Sequence, residues 1–440
     1  MKENHYKLFI KYPSHLEAST SAKEMSFGQK PPISTSKNSS DYFAFDRYAD
    51  MIDHPIMYSK PNKATLTVND IEILLSVYSN SPRHKASSIM RHLENVIRSQ
   101  KNFLGDINST KKYSIILYLA SAKADDAKGF GALEHNTSTV VVLPESLTLK
   151  KQNPAMTEVV SHEFFHIVSP LSVHSEDVHY FDYNKPTFSK HLWMYEGVTE
   201  YFATLFQVNQ GLVEEKAFYD KIMGKINGAA TYDDTMSFTE MSENILEQPY
   251  ASNYINVYEK GALIGMCLDI LLREESNGSR GVLSLMKELS SKYGKNKPFK
   301  DDALIEELTA MTYSSVGEFL KTHVQGKAPI AYEKFFEKVG LLVSSERVST
   351  NYIQNSGAMI VAGDQEEGTI FFNELVLFNS FWADNGVKPN DDIVAINGEK
   401  LTIANANNVL GATFQWQEGD DLEVILNRAG KEIVIKSSFG

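Results

Sequence analysis

The residues with the clearest chemical potential are His162, Glu163 and His166, in the run His-Glu-Phe-Phe-His. On a helix, side chains four positions apart lie on one face, so both imidazoles can reach a single metal ion. The glutamate beside the first histidine can then act as general base on a metal-activated water. This spacing is a zinc-binding pattern of hydrolases, and it predicts a zinc hydrolase, most readily a peptidase. The alternative is a pair of core histidines.

A catalytic zinc ion keeps three protein ligands and leaves one position for water, so a third ligand is required. One class of such proteins would place histidine at position 172 and glycine at 169, where this chain has Ser172 and Ser169. The other class takes a glutamate from a later helix, and Glu196 fits this requirement. Glu200 follows one turn later on the same face, where we expect it to orient a ligand histidine. A solvated surface carboxylate is the alternative for Glu200.

Two helices must position these groups. Asn153 and Pro154 have the residue types preferred at a helix N-cap and in its first turn, and Pro170 cannot continue a helix. We therefore predict that the helix with the histidines begins near Asn153 and ends before Pro170. The helix with the two glutamates is predicted to run to about Gln210, where Gly211 ends it.

Two segments next to these helices are expected to be loops. His174, His179 and His191 fall between the two helices, and a surface loop is favoured over a position beside the metal. Residues 227–250 have few apolar positions at helical spacing, which favours a long loop. Because long loops in compact domains are often functional, this segment is a candidate for the wall of a substrate cleft.

Four segments together resemble one family of enzymes. The runs at 162–166 and 193–201, the latter Trp-Met-Tyr-Glu-Gly-Val-Thr-Glu-Tyr, resemble the gluzincin peptidases related to aminopeptidase N. Residues 131–136 match a Leu-Glu-His motif, and residues 258–261 match a Tyr-x-Lys-Gly motif. Within the gluzincins the chain looks most like the glycyl aminopeptidase family, whose members carry a C-terminal PDZ-like domain.

The resemblance implies roles for residues that composition alone would not select. Glu134, with Gly131 and Ala132 beside it, would hold the free amino group of a peptide substrate. Tyr258 would face the transition state and donate to the oxyanion, a contribution often worth about 3 kcal/mol. Without the resemblance, the alternatives are a loop carboxylate for Glu134 and aromatic packing for Tyr258.

Coarse patterns predict an α+β fold. Residues 114–120 and 137–143 are rich in Ile, Val, Leu and Tyr, which predicts strands of a small sheet before a largely helical region. The resemblance implies a gluzincin, thermolysin-like catalytic domain at 48–338. Residues 1–47 are then the remnant of a β-rich domain or a linker, and residues 339–440 are a small β-rich PDZ-like domain.

The C-terminal region has its own pattern of short alternating strands. Residues 422–435 predict a β-hairpin, and residues 386–398 resemble part of a bacterial-type PDZ domain. Such domains bind extended peptide ends by adding a strand to the edge of a sheet. Residues 356–360 are the best candidate for the loop that would bind a terminal carboxylate. A structural cap on the catalytic domain is the alternative.

Composition fits a globular enzyme of two or three domains, since the chain has 440 residues. The formal net charge of −13 argues against a nucleic-acid partner. The single cysteine, Cys267, lies in an apolar helix and is expected in the core. No apolar run reaches the roughly 18 residues of a membrane span, and the N-terminus has no signal-peptide core. Localisation stays open: cytoplasmic, or periplasmic or secreted if the N-terminus is trimmed.

Two classes of function remain. The first is a zinc aminopeptidase that acts on peptides with a free N-terminus and, by the resemblance, prefers Gly or Ala there. A zinc endopeptidase is the runner-up within this class. The second class is a peptide-binding protein with a vestigial site, which would act through its PDZ-like domain. The first class is favoured because every group that the chemistry requires is present in the chain.

Overall fold

The computed structural model of the protein describes residues 4–24, 37–107, 110–122, 127, 129–344, 352–355, 358–364, 367–417 and 419–438. The chain divides into two compact units, Met1–Leu342 and Val343–Gly440. Across these ranges, no helix is both long enough and apolar enough to cross a lipid bilayer. The candidate carboxylate-binding loop at 356–360 lies in part outside the described residues, at positions 356 and 357.

The first unit contains nine strands and twelve α-helices within its described residues. The strands are β1 (Tyr6–Pro13), β2 (Glu17–Ser19), β3 (Asn38–Phe45), β4 (Met57–Ser59), β5 (Lys63–Val68), β6 (Ile71–Tyr78), β7 (Lys112–Ala120), β8 (Gly131–His135) and β9 (Ser138–Pro144). The helices are α1 (Tyr48–Ile52), α2 (Ala86–Leu104), α3 (Leu149–Glu163), α4 (Glu176–His179), α5 (Val198–Asn209), α6 (Glu215–Ala229), α7 (Phe238–Glu243), α8 (Asn256–Glu275), α9 (Val282–Lys292), α10 (Leu304–Met311), α11 (Ser314–Phe319) and α12 (Tyr332–Lys338). Short 3₁₀ or π turns occur at Phe164–Ile167, Trp193–Gly197, Tyr250–Asn253, Asp301–Ala303 and Leu320–Gln325.

A five-stranded sheet in the order β5-β6-β7-β9-β8 belongs to the first unit. Its three central strands run parallel, and their near-continuous apolar sequences suit strands that are covered on both faces. β8 pairs antiparallel with β9 and forms one edge of the sheet. Because β8 carries Glu134, the sheet presents this carboxylate at its edge.

The helices that follow pack around one apolar core. α8 lies deepest, with nearly every side chain from Lys260 to Leu272 buried. Cys267 is buried in this helix, as expected from its apolar surroundings. α2 covers the sheet with an apolar face that includes Ile89, Leu93 and Ile97. The predicted arrangement of a small sheet before a mainly helical region is therefore present; within it His166 is buried, and His162, Glu196 and Glu200 are partly buried.

The helix that carries the histidines begins earlier than predicted. α3 starts at Leu149 with Thr148 as N-cap, so Pro154 lies inside the helix and not in its first turn. The side chain of Gln152 is fully buried, and its Oε1 lies 3.1 Å from His84 Nδ1. Tertiary packing thus stabilises an additional turn that the local sequence pattern does not indicate.

Both predictions of loops between the helices are wrong in part. His174, His179 and His191 are buried and not on the surface. His174 and His179 stack with parallel rings, and the guanidinium of Arg47 binds His179. Residues 227–250 include the end of α6 and the whole of α7. Four of the six α7 residues are buried, and two of these, Phe238 and Met241, supply the apolar contacts of the helix.

The second unit is a small α/β structure with its own core. Its strands are β10 (Gln354–Asn355), β11 (Ala358–Met359), β12 (Val361–Asp364), β13 (Thr369–Phe372), β14 (Asp392–Ile396), β15 (Glu399–Lys400), β16 (Asp421–Arg428) and β17 (Lys431–Ser438), and its helices are α13 (Ser380–Asp384) and α14 (Ala406–Ala412). The main sheet has the order β12-β13-β14-β16-β17. β16 and β17 form the hairpin expected at 422–435, and Ala429 and Gly430 both have positive φ, as its two-residue turn requires.

Candidate active site

The two histidines lie at the end of α3 and just beyond it. His162 is the second-last residue of α3, and Glu163 is the last. His166 follows in the 3₁₀ turn Phe164–Ile167. The side chains of Phe164 and Phe165 are fully buried and anchor this turn in the core. The Nε2 atoms of His162 and His166 lie 3.2 Å apart, so the two imidazoles meet at one point.

The outer nitrogens of these imidazoles fix which atoms face each other. His166 Nδ1 lies 2.9 Å from the carbonyl oxygen of Ser169, which can only accept, so Nδ1 carries the proton. His162 Nδ1 lies 2.8 Å from Glu200 Oε2. Because an ionised carboxylate can only accept, Nδ1 of His162 also carries the proton. Each neutral imidazole then points an Nε2 lone pair at the other. Two lone pairs at this separation repel unless a cation lies between them, which can be a metal ion or, without a metal, a proton on one of the two Nε2 atoms.

Glu196 adds a third acceptor at the same point. It lies in the π turn Trp193–Gly197, and its Oε2 is 3.1 Å from His162 Nε2 and 3.7 Å from His166 Nε2. Zinc holds nitrogen and oxygen ligands at about 2.0–2.2 Å in a tetrahedral arrangement, which places ligand atoms roughly 3.3 Å apart. The three observed separations fit that requirement, and so does the donor set of two imidazoles and one carboxylate.

The electrostatics of the cluster also call for a cation. Burial alone would lower the pKa of His162, but the carboxylates of Glu196 and Glu200 outweigh it and raise the pKa to about 10. Burial would raise the pKa of Glu200, yet His162 and Lys225 lower it to about 2. The carboxylates therefore stay ionised and make the point between the ring nitrogens strongly attractive for positive charge.

Glu163 and Glu134 lie beside this ligand set. Ligand atoms of Glu134, Glu163 and His166 all fall within 4.8 Å of one another. Glu163 is buried, and the hydroxyl of Thr139 lies 3.1 Å from its Oε2. Thr139 in β9 pairs directly with Glu134 in β8, so the register of the sheet brings the two carboxylates together. Burial, with Glu196 and Glu163 nearby, raises the pKa of Glu134 to about 7 against the opposing effect of His166.

Gly131 and Ala132 lie further along β8, opposite Val142 and Val141 of β9. Ala132 packs against the core, and Gly131 is exposed at the start of the strand with a φ of 152°. Ala132 and Gly131 therefore belong to the same edge strand as Glu134, two and three residues before it in the sequence.

Tyr258 reaches the site from the first turn of α8. The centre of its ring is 5.7 Å from that of His162, and its hydroxyl oxygen is 3.1 Å from the hydroxyl oxygen of Tyr254. Burial, with Glu196 nearby, raises the pKa of Tyr258 well above its usual range. The phenol therefore stays protonated and available as a hydrogen-bond donor.

Two glycines allow the helices with Glu196 and Tyr258 to touch. A Cβ built on Gly197 would lie 2.4 Å from the carbonyl carbon of Gly261, and one on Gly261 would lie 2.9 Å from the Cα of Gly197. The backbones are thus in direct contact, which only glycine permits. Both positions belong to the motifs that carry the family resemblance, and this contact gives a physical reason for glycine in each.

Sequence reasoning missed three contributors to the site. Thr139 contacts Glu163, the carbonyl of Ser169 orients His166, and Lys225 contacts Glu200. The pattern of side chains cannot predict a contact that a backbone carbonyl makes, and threonine is a common residue in strands, so Thr139 gave no signal of a role. Lys225 had a usable signal, because it is a charged residue on the same helix face as the buried Ile222 and Ala229.

The convergence of two imidazoles and a carboxylate, together with the family match that follows, marks the protein as a zinc metallopeptidase. Residues 155–264 match the family model described as M61 glycyl aminopeptidase, which confirms the resemblance drawn from the motifs. No curated protein matches the chain.

Solved structures share the fold at low sequence identity. An aminopeptidase N family protein from Idiomarina loihiensis is 19% identical with a TM-score of 0.71, over 96% of this chain and 73% of that one. The M1 zinc metallopeptidase from Deinococcus radiodurans is 12% identical with a TM-score of 0.50, over 74% of this chain and 65% of that one. This chain therefore spans somewhat less than two thirds of the Deinococcus enzyme.

Proposed function

We propose that the protein is a zinc aminopeptidase, which removes the N-terminal residue of peptides. The observation that carries the proposal is the extra carboxylate of Glu134, which lies within 4.8 Å of Glu163 and His166 but is not needed to complete the ligand set. Hydrolysis by any zinc peptidase requires the three ligands and a general base. A further buried carboxylate beside them suits a substrate that carries its own positive charge.

The proposed mechanism assigns one task to each group. His162, His166 and Glu196 would hold zinc, which would polarise the scissile carbonyl and lower the pKa of a water. Glu163 accepts the proton of that water and passes it to the leaving amine. The hydroxyl of Tyr258 donates to the oxyanion as it develops.

Glu134 supplies the counter-charge for the α-ammonium group of the substrate. Its separation from His166 accommodates the amino end of one residue, since the nitrogen and carbonyl carbon of a residue are about 2.5 Å apart. A second residue would add up to about 3.8 Å to the 2.5 Å of the first, and the total exceeds the 4.8 Å within which the ligand atoms of Glu134 and His166 lie. This spacing favours an exopeptidase over the endopeptidase alternative.

Two finer parts of the proposal have separate support. A preference for small N-terminal residues, Gly or Ala, is part of the proposal, and the description of the matched family as a glycyl aminopeptidase supports it for Gly. For the second unit we propose a PDZ-like domain that binds a peptide by strand addition, which is supported by the position of β12 at the edge of its main sheet.

The central test is the substitution Glu163→Gln, assayed for hydrolysis and zinc content. We expect a loss of kcat of about 10²- to 10⁴-fold, because the general base is removed, with zinc still bound at one ion per chain. Glu158→Gln is the matched control, because it changes an exposed glutamate on the same helix. Full activity in Glu163→Gln would refute the assigned mechanism.

The exopeptidase assignment is tested with glycyl or alanyl anilides that have either a free or an N-acetylated amine. We expect hydrolysis of the free-amine substrates only, and Glu134→Gln should raise their KM by about 10- to 100-fold because one charged hydrogen bond is lost. Equal cleavage of both forms would reassign the protein as an endopeptidase. Zinc binding without any hydrolysis would favour the vestigial alternative.

A further inference from the structure

A lysine lies where helix α6 is otherwise apolar. Ile222, Lys225 and Ala229 share one face of this helix, which packs against α8. The side chain of Lys225 is only 12% exposed. Because a lysine ammonium is rarely buried without a partner, its position on this face calls for an explanation.

The ammonium group of Lys225 connects to a zinc ligand through a single carboxylate. Lys225 Nζ lies 2.8 Å from Glu200 Oε1, and the other oxygen, Glu200 Oε2, lies 2.8 Å from His162 Nδ1. Each carboxylate oxygen thus has one partner, one on either side. The planar carboxylate cannot rotate without losing one of the two contacts, so Lys225 limits the orientations open to His162.

The distribution of negative charge around Lys225 also accounts for an ammonium group at this position. Glu200 lies one turn from Glu196, and Glu259 lies 3.9 Å from Lys225 Nζ on the neighbouring helix. Among the residues that the structure describes, Lys225 is the one lysine or arginine in ion-pair contact with Glu200. It therefore offsets a concentration of negative charge behind the metal ligands.

A cavity of about 380 Å³ lies behind these helices, lined by residues that include Lys225, Glu200, Glu259 and Lys221. Water in this cavity can solvate Glu200 if the ammonium is removed. A neutral residue at position 225 should therefore be tolerated by the fold, which makes the role of the charge testable. Lys221 lines the same cavity one turn earlier on α6 and makes no ion pair with Glu200.

We propose that Lys225 is a positioning residue, which holds Glu200 in the orientation that presents the Nε2 lone pair of His162 to the metal. This inference rests on the proposed roles of His162 and Glu200 in zinc binding. The competing interpretation is an ion pair that joins α5 and α6 and only adds stability. The two differ in what is lost: zinc affinity in the first case, and apoprotein stability alone in the second.

The experiment compares Lys225→Met with the rescue variant Lys225→Arg and the matched control Lys221→Met. The measurements are the zinc dissociation constant by competition with a chelator, the thermal midpoint of the apoprotein, and kcat and KM at saturating zinc. We expect Lys225→Met to weaken zinc binding about 10-fold and to lower kcat with little change in KM, since partners behind a ligand typically contribute 10- to 100-fold. Lys225→Arg should restore most of the loss, and Lys221→Met should behave as wild type.

Two results would overturn the inference: an equal loss of zinc affinity in Lys221→Met, or unchanged zinc affinity in Lys225→Met, whether or not the stability of the apoprotein falls. If Lys225→Met does not fold, Lys225→Gln provides the same comparison with a side chain that keeps a hydrogen-bond donor. A wild-type protein that binds no zinc would instead refute the proposed function itself. If the wild type and the Lys225→Met variant bind zinc equally well, only the inference about Lys225 is refuted.

Discussion

The contact between Gly197 and Gly261 leads to a sharp prediction for Gly197→Ala. The new methyl carbon would lie 2.4 Å from the carbonyl carbon of Gly261 and 2.5 Å from its oxygen. Non-bonded carbon atoms prefer about 3.5–4.0 Å. The π turn that carries Glu196 and the helix that carries Tyr258 must therefore move apart by roughly 1 Å or distort locally.

Two effects oppose each other in the stability of Gly197→Ala. Overpacking of this kind typically costs about 1–3 kcal/mol, and the better helix propensity of alanine returns up to about 1 kcal/mol. We expect a net loss of roughly 1–2 kcal/mol in the free energy of unfolding. The effect on catalysis should be larger, because a displacement of about 1 Å at a reacting centre can cost 10²-fold in rate.

The assay combines urea unfolding with kcat and KM on a free-amine glycyl substrate. Gly224→Ala on α6 is the control, because a Cβ at that position meets nothing within 4 Å and should leave both stability and activity near wild type or slightly improved. Wild-type kcat in a stable Gly197→Ala protein would show that the close approach of the two helices is not required, and it would refute the reasoning.

The remaining predictions concern the oxyanion donor and the metal. Tyr258→Phe removes only the hydroxyl, which lies 3.1 Å from the hydroxyl of Tyr254. Because this hydroxyl is the proposed oxyanion donor, we expect kcat to fall about 10²- to 10³-fold with KM nearly unchanged. A change in KM alone would assign the phenol to substrate binding. Removal of zinc by a chelator should lower the thermal midpoint, because a ligand at 100 times its dissociation constant stabilises by about 2.7 kcal/mol. Scanning fluorimetry with zinc added back tests this, and a midpoint that does not respond to zinc would contradict the metal site.

The sequence was sufficient for the groups whose chemistry depends on spacing along one element. His162 and His166 are four positions apart, and Glu196 and Glu200 are four apart, so a helical period alone predicts that each pair shares a face. Bringing the two pairs together requires α3 and α5, with the turns next to them, to pack; the need for a third zinc ligand suggested this and the resemblance supported it, but the helical period alone does not give it. The same holds for Glu134, whose position depends on the register between β8 and β9.

The errors have a common physical cause. Asn153 and Pro154 have the local preferences of a helix start, but burial of Gln152 extends the helix to Leu149. His174 has a polar ring that suggests a surface loop, yet its Nδ1 binds the carbonyl of Pro170 and its Nε2 faces His179. His84 is distant from Gln152 in the sequence, whereas Pro170 and His179 are only four and five residues from His174. In both cases a contact that forms only in the folded structure satisfies a polar group whose local pattern suggests exposure.

The two imidazoles are held by different kinds of partner, and this difference has an evolutionary consequence. The orientation of His166 depends on the backbone carbonyl of Ser169, which any residue type at that position would supply. The orientation of His162 depends on the side chain of Glu200, which a single base change can remove. Mutations at position 200 can therefore change the affinity for the metal through His162, whereas the orientation of His166 does not depend on the type of side chain at position 169.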